Sequence, residues 1–323
     1  VQVRFRRLVC WALAGCALLS SVAWAGGWKA VESTTSPSPR FGHTMVNVGG
    51  KVYLFGGAGE RHSPEDLFND LWGYEDGLPW QEITPNNPPP SPRKGHQGVE
   101  HEGKMYVIFG MAEEGFLNDV WVYDPATKVW VQVPKVGLWP EGRRFHAATS
   151  CAGSIWLLGG FGSGGPLNDF WAFDPSEGTW EKKADFPGGG VYGASLSCAG
   201  EIILAYGGDP EGRGGLWAYK IGEDRWTYKE IEGAPPPRRC HAAVTVRDGL
   251  LISGGFGPEG LLGDSWYLSF EDLSWRELDP LPLKLGCMAM APLGPSKVVL
   301  FGGVTVAEKG FQLWGGTMVY EIP

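Results

Sequence analysis

A short apolar run ending in a small-residue pair occurs six times along this chain, at intervals of roughly 50 residues. The pairs are Gly56-Gly57, Gly110-Met111, Gly159-Gly160, Gly207-Gly208, Gly254-Gly255 and Gly302-Gly303. A unit of that length is one supersecondary motif, too small to bury its own apolar faces. Its repetition therefore demands stacking of neighbours.

Each unit carries further landmarks. Ahead of the small pair stands Arg-x-x-His in four copies: Arg40/His43, Arg93/His96, Arg143/His146 and Arg238/His241. After it comes a polar turn into an aromatic strand, as in Asn69-Asp70-Leu71-Trp72 and Asn118-Asp119-Val120-Trp121. A further tryptophan opens a last strand: Trp80, Trp130, Trp180, Trp226 and Trp275. The 50 glycines and 25 prolines supply the turns that many short strands require. On these motifs the chain resembles the kelch family. The resemblance implies an all-β, six-bladed kelch β-propeller with four antiparallel strands (a, innermost, to d) in each blade.

The sixth unit ends at Thr317-Met318-Val319-Tyr320-Glu321-Ile322, in register with strand c, and has no strand d after it. Trp28-Lys29-Ala30-Val31 matches Trp80-Gln81-Glu82-Ile83. An N-terminal strand d should therefore complete the last blade and close the ring. Ahead of it, Arg4, Arg6 and Arg7, the apolar run Leu8 to Val22 and Ala23-Trp24-Ala25 read as an export signal. The expectation is residues 1–25 as signal peptide and 26–323 as propeller, secreted or periplasmic. Leu13-Ala14-Gly15-Cys16 also fits a lipid-anchoring site, and an uncleaved N-terminal anchor is the third reading. No other apolar run is long enough to span a bilayer. The net charge of −9 becomes more negative once those three arginines leave, which argues against nucleic acid as a partner.

Arg40, Arg93, Arg143 and Arg238 should ring the channel mouth, interrupted at Val191 and Gly286, where clustered guanidiniums can hold an anion. The alternative is that each pairs with an acid of a neighbouring blade or with loop carbonyls. The four histidines are expected between blades in structural roles, with no metal site, and His62 and His101 exposed. Asp70, Asp119, Asp169 and Asp264 are expected to bond their local turns. Cys151 with Cys198, and Cys240 with Cys287, sit at equivalent points of adjacent units; whether either pair is bridged stays open. Longer b–c loops in the first and sixth units should raise a wall bearing Arg61, His62, Glu65 and Phe68, and Glu308, Lys309, Phe311 and Trp314. Arg61, Phe311 and Trp314 are its binding candidates, with Trp314 foremost because the repeat pattern does not require it.

No nucleophile–base pair emerges, and neither a catalytic residue nor a cofactor is expected. The reading is a monomeric, non-catalytic module binding a protein, peptide or glycan, anionic ones included, through the b–c and d–a loops. The alternative is a periplasmic mutarotase or epimerase acting on an acidic sugar such as sialic acid, as in some exported bacterial kelch propellers. A galactose-oxidase-like copper site is disfavoured, because the chain has no Tyr-His dipeptide. The iron-binding Glu-x-x-x-Asp-x-x-x-Cys pattern of the plant specifier proteins is absent as well.

Overall fold

A computed structural model describes residues 27–60, 66–208, 215–308 and 310–323. Among them are six four-stranded antiparallel sheets and two short two-stranded hairpins. Each large sheet is one blade. In blade one, strands a to d are Thr44–Val48, Lys51–Ala58, Leu67–Tyr74 and Gln81–Ile83, paired in that order. In blade four they are Ser195–Ala199, Ile202–Tyr206, Leu216–Lys220 and Arg225–Lys229.

The ring closes as the repeat arithmetic requires. The Trp28–Val31 strand pairs with Thr317–Glu321, with Trp28 opposite Tyr320 and Val31 opposite Thr317, so the sixth sheet joins both ends of the described chain. Trp28 is 2% exposed and lies in a core cluster with residues of blades five and six. Its indole N–H reaches Ser265 Oγ and the Asp279 carbonyl, both at 3.2 Å. The other outer-strand tryptophans act alike. Trp80 packs on Phe301, Trp130 on Phe55, Trp180 on Phe109, Trp226 on Phe170 and Trp275 on Tyr206, each a ring of the preceding blade. A twisted four-stranded blade has two apolar faces, and these rings cover the seam between one blade and the next.

Register corrects two sequence alignments. In blade two the small pair is Phe109-Gly110, because Gly110 N–H donates to the Arg143 carbonyl as Gly57 N–H does to Arg93. Phe109 there adopts φ +55°, the left-handed conformation that Gly56 holds at +64°. In blade six the position equivalent to the arginines is Leu285, not Gly286, since Gly255 N–H donates to the Leu285 carbonyl.

His101 is also placed differently from expectation. It ends strand a of blade two against strand a of blade three, so the neighbouring blade covers it. It is 7% exposed, with Nδ1 2.9 Å from Ser150 Oγ. Cys151 and Cys198 form a disulfide between blades three and four, with Cα atoms 5.3 Å apart. Cys240 and Cys287 are free. The expectations on residues 1–25, and on Arg61, His62, Glu65 and Lys309, fall outside the described residues. No described helix is long and apolar enough to cross a membrane.

Candidate functional site: the loop face around the channel mouth

The d–a loops and b–c hairpins meet on one face. Single bridges join Phe41 to Ala58, Lys94 to Met111, Arg144 to Phe161, Arg239 to Phe256 and Gly286 to Val304. Four consecutive positions of each d–a loop therefore have distinct surroundings: the arginine, two residues after it, and the histidine.

The arginines are structural. Arg40, Arg93 and Arg143 are 0% exposed and Arg238 is 2%. Each guanidinium is bidentate to an aspartate in, or just before, strand c of its own blade. Arg93 Nη1 and Nη2 lie 2.8 and 3.0 Å from the Asp119 oxygens, and Arg238 lies 2.8 and 2.6 Å from those of Asp264. Arg40 with Asp70 and Arg143 with Asp169 repeat the geometry. Nε donates to the carbonyl two residues back, and Nη1 also donates to the carbonyl sixteen residues on. Each aspartate accepts in addition from a strand-c indole: Trp72, Trp121, Trp171 or Trp266. Burial pushes the carboxyls of Asp119, Asp169 and Asp264 up. The arginine hydrogen bonds and charge outweigh it, and all three lie below the ordinary carboxylate range.

Thus the arginine side chains are buried in pairs rather than presented at the mouth, and the aspartates serve a partner across the blade rather than only their turns. The sequence contains the signal that identifies this pair. Where the arginine is replaced, by Val191 and Leu285, the aspartate is replaced too, by Gly215 and Gly316. In those blades an aromatic ring takes the vacated space. A Cβ on Gly215 would fall 1.9 Å from the Tyr228 ring, and one on Gly316 would fall 2.2 Å from that of Trp314. Trp314 accordingly packs down against a core cluster of blades five and six.

The histidines lie between blades. His43, His96 and His146 each set their ring against a strand-b phenylalanine of the preceding blade, and His241 against Tyr206. Burial, then the neighbouring arginine, pushes all four below the usual imidazole range, His96 and His241 to about 3. No group of three or more metal-binding side chains exists among the described residues.

The two intervening positions form the mouth. The residue before each histidine, or before its counterparts Ala194 and Met288, belongs to a closed belt of backbone hydrogen bonds. Gly95 N–H donates to Gly42 O, Phe145 to Gly95, Gly193 to Phe145, Cys240 to Gly193, Cys287 to Cys240 and Gly42 to Cys287, at 2.7–3.1 Å. All six residues have φ between +51° and +65°. The belt constricts the channel, and beyond it strands a enclose a cavity of about 170 Å³ whose surface is mainly polar, with Thr44, Gln97 and Ser195 among small alanine side chains.

Outside the belt stand Phe41, Lys94, Arg144, Tyr192, Arg239 and Gly286. Arg144 lies 5.5–5.9 Å from the rings of Phe116, Phe145 and Phe161, Arg239 lies 5.2 Å from Tyr192, and Lys94 lies 5.4 Å from Phe41. None of these three cations has an acidic partner among the described residues, and Arg144 Nε is buried without an acceptor. Burial, then the charge of Arg144, lowers the Lys94 ammonium. The b–c hairpin of blade six, Val304–Ala307 with Gly310–Leu313, overlooks this rim. It carries Phe311, 67% exposed and 5.8 Å from Phe256 of blade five.

Comparison with known proteins agrees with this architecture. Residues 17–160 match the KLHDC2/KLHL20/DRC7 Kelch-repeats domain, and residues 142–187 and 237–282 match kelch motifs. The chain is 26% identical to Kelch domain-containing protein 10 of Xenopus tropicalis over 325 residues, covering 88% of this chain and 77% of that protein. It is also 26% identical to the dynein alpha chain of the flagellar outer arm of Chlamydomonas reinhardtii over 86% of this chain. A shorter stretch of 112 residues is 34% identical to Tip elongation aberrant protein 1 of Schizosaccharomyces pombe. The chain spans only 6% of the dynein chain and 9% of the tip elongation protein. The kelch models together match more than half of the chain, and the six blades have the strand order those motifs imply: this protein belongs to the kelch-repeat family of β-propellers.

Proposed function

We propose that the protein is a non-catalytic binding module whose b–c and d–a loop face captures an acidic peptide segment of a protein partner. One observation carries this reading. Lys94, Arg144 and Arg239 stand around the mouth without counter-charges among the described residues, in a chain of net charge −9. Elsewhere the same fold pairs its loop arginines with aspartates. Lys94 and Arg144 also repel one another, so an arriving carboxylate relieves that repulsion as well as gaining charge-assisted hydrogen bonds. The partly exposed rings of Phe145, Phe161 and Tyr192 and the exposed ring of Phe311 offer the aromatic contact surface typical of binding hot spots. Secreted or periplasmic location belongs to the same proposal and rests on residues 1–25 alone; the intact mass of the exported protein tests it.

The binding test is fluorescence anisotropy with labelled peptides rich in Asp and Glu, against neutral peptides of equal length. A charge-assisted contact is worth about 1.5–3 kcal/mol, so Arg144→Ala should weaken the acidic peptide roughly 10- to 100-fold. Thermal stability should change little. Equal affinity for neutral peptide, or unchanged affinity in Arg144→Ala and Arg239→Ala, refutes the assignment.

A further inference from the structure

The belt at the mouth contains two cysteines side by side. Cys240 belongs to blade five and Cys287 to blade six, and the Cys287 N–H donates to the Cys240 carbonyl at 2.8 Å. Both line the constriction that opens to the loop face. Neither is fully buried, so a small reagent entering the mouth reaches them.

The backbone makes their presence costly. Cys240 has φ +51° and Cys287 +53°. Three of the six belt positions are glycine, the residue that holds this conformation without a Cβ penalty. Strained residues that persist at a mouth are candidates for function.

We infer that Cys240 and Cys287 form a reversible dithiol–disulfide pair, oxidised by exchange with a small anionic disulfide that enters through the mouth. The positive charges of Arg239 and Arg144 favour the thiolate of either cysteine. One thiolate attacks one sulfur of the reagent disulfide RSSR, the S–S bond breaks, and RS⁻ leaves and is protonated to RSH. The other cysteine then loses its proton to solvent and attacks the sulfur of the first, and the second RS⁻ leaves and is protonated. The protein loses two hydrogens, and one RSSR becomes two RSH. Arg144 and Arg239 favour an anionic reagent over a cationic one, because they would repel the latter. The product links blades five and six, as Cys151–Cys198 links blades three and four.

Oxidised glutathione is the anionic probe and cystamine the cationic one. The readout is differential alkylation with peptide mapping, which separates Cys240 and Cys287 from Cys10 and Cys16 in the full chain. Glutathione should convert the wild-type pair to an intramolecular disulfide, reversed by dithiothreitol. Cys287→Ser and Cys240→Ser should each stop at a stable glutathione adduct on the remaining cysteine, and cystamine should be slower than glutathione. The wild-type experiment stands whatever the variants do. The inference is overturned if both wild-type thiols remain alkylatable, if the wild type accumulates a lasting mixed disulfide, or if cystamine reacts as fast as glutathione.

Discussion

Removing one member of a buried arginine–aspartate pair should destabilise the propeller far more than removing both. Take Arg93, which is 0% exposed, with Asp119, whose side chain is 16% exposed. Arg93 donates to Asp119 twice, to the Ser91 carbonyl and hydroxyl, and to the Phe109 carbonyl. Arg93→Ala leaves a carboxylate without its counter-charge and takes the donor from the buried Phe109 carbonyl and the partly buried Ser91 carbonyl. Breaking a buried pair in this way costs about 3–5 kcal/mol. Asp119→Ala strands a guanidinium and frees the Trp121 indole from its acceptor, at a similar cost. In the double variant neither charge is stranded. Blades four and six show that the fold tolerates a valine–glycine or leucine–glycine combination at these places. Arg93→Val with Asp119→Gly should therefore cost less than the sum of the single changes, by about 2–3 kcal/mol of coupling. Urea titrations of the four proteins measure the cycle. Each single variant should also melt on the order of 10 °C lower. Single losses below about 1 kcal/mol, or strict additivity, would refute the view that these pairs are buried clamps.

Two further outcomes follow from burial. Trp28→Ala should cost about 3–5 kcal/mol, because the ring fills the seam between blades five and six; unchanged stability by denaturant titration would deny that the N-terminal strand closes the ring. The four inter-blade histidines make stability fall in acid. Their folded pKa values lie below the unfolded value near 6.5, so the unfolded chain takes up protons first. Stability is therefore greatest above about pH 6.5 and declines toward about pH 3, where His96 and His241 titrate. The slope reaches about 1.4 kcal/mol per pH unit for each histidine, and His146→Gln should remove one such contribution. A flat pH dependence between 7 and 5 would contradict the neutral, buried assignment.

Much of the fold is legible in the sequence because propeller blades repeat a one-dimensional pattern. The Trp28 segment could be matched to Trp80 and assigned to the last blade from spacing alone. The site was less legible for a physical reason. A guanidinium suits a buried carboxylate and an exposed anion equally well, so residue type does not separate the two roles for Arg40, Arg93, Arg143 and Arg238. Only the joint loss of arginine and aspartate in two units does so, since a buried charge is tolerated only with its partner. Trp314 is ambiguous in a related way: it breaks the repeat pattern where its ring fills the space of a missing aspartate, and it stays partly exposed. His101 looked exposed because it falls outside the Arg-x-x-His pattern, yet strand a of the next blade covers it.

The four successive positions from arginine to histidine divide the tasks of one loop. The first holds the blade together through an aspartate, the third closes a backbone belt around the channel, and the fourth seals the seam to the preceding blade. Each of these tasks restricts the residue: by charge pairing, by positive φ, or by ring packing. The second position makes the backbone bridge to the b–c hairpin; Phe41 there is buried and a Cβ on Gly286 would fall 2.5 Å from the Phe256 ring, whereas Lys94, Arg144, Tyr192 and Arg239 are partly exposed. It is also where the blades diverge most, as Phe41, Lys94, Arg144, Tyr192, Arg239 and Gly286. A scaffold of nearly identical blades can recognise an asymmetric partner only through positions the fold does not constrain. The second position meets that condition in blades two, three and five, where it carries Lys94, Arg144 and Arg239, with Lys94 and Arg239 on opposite sides of the six-bladed ring.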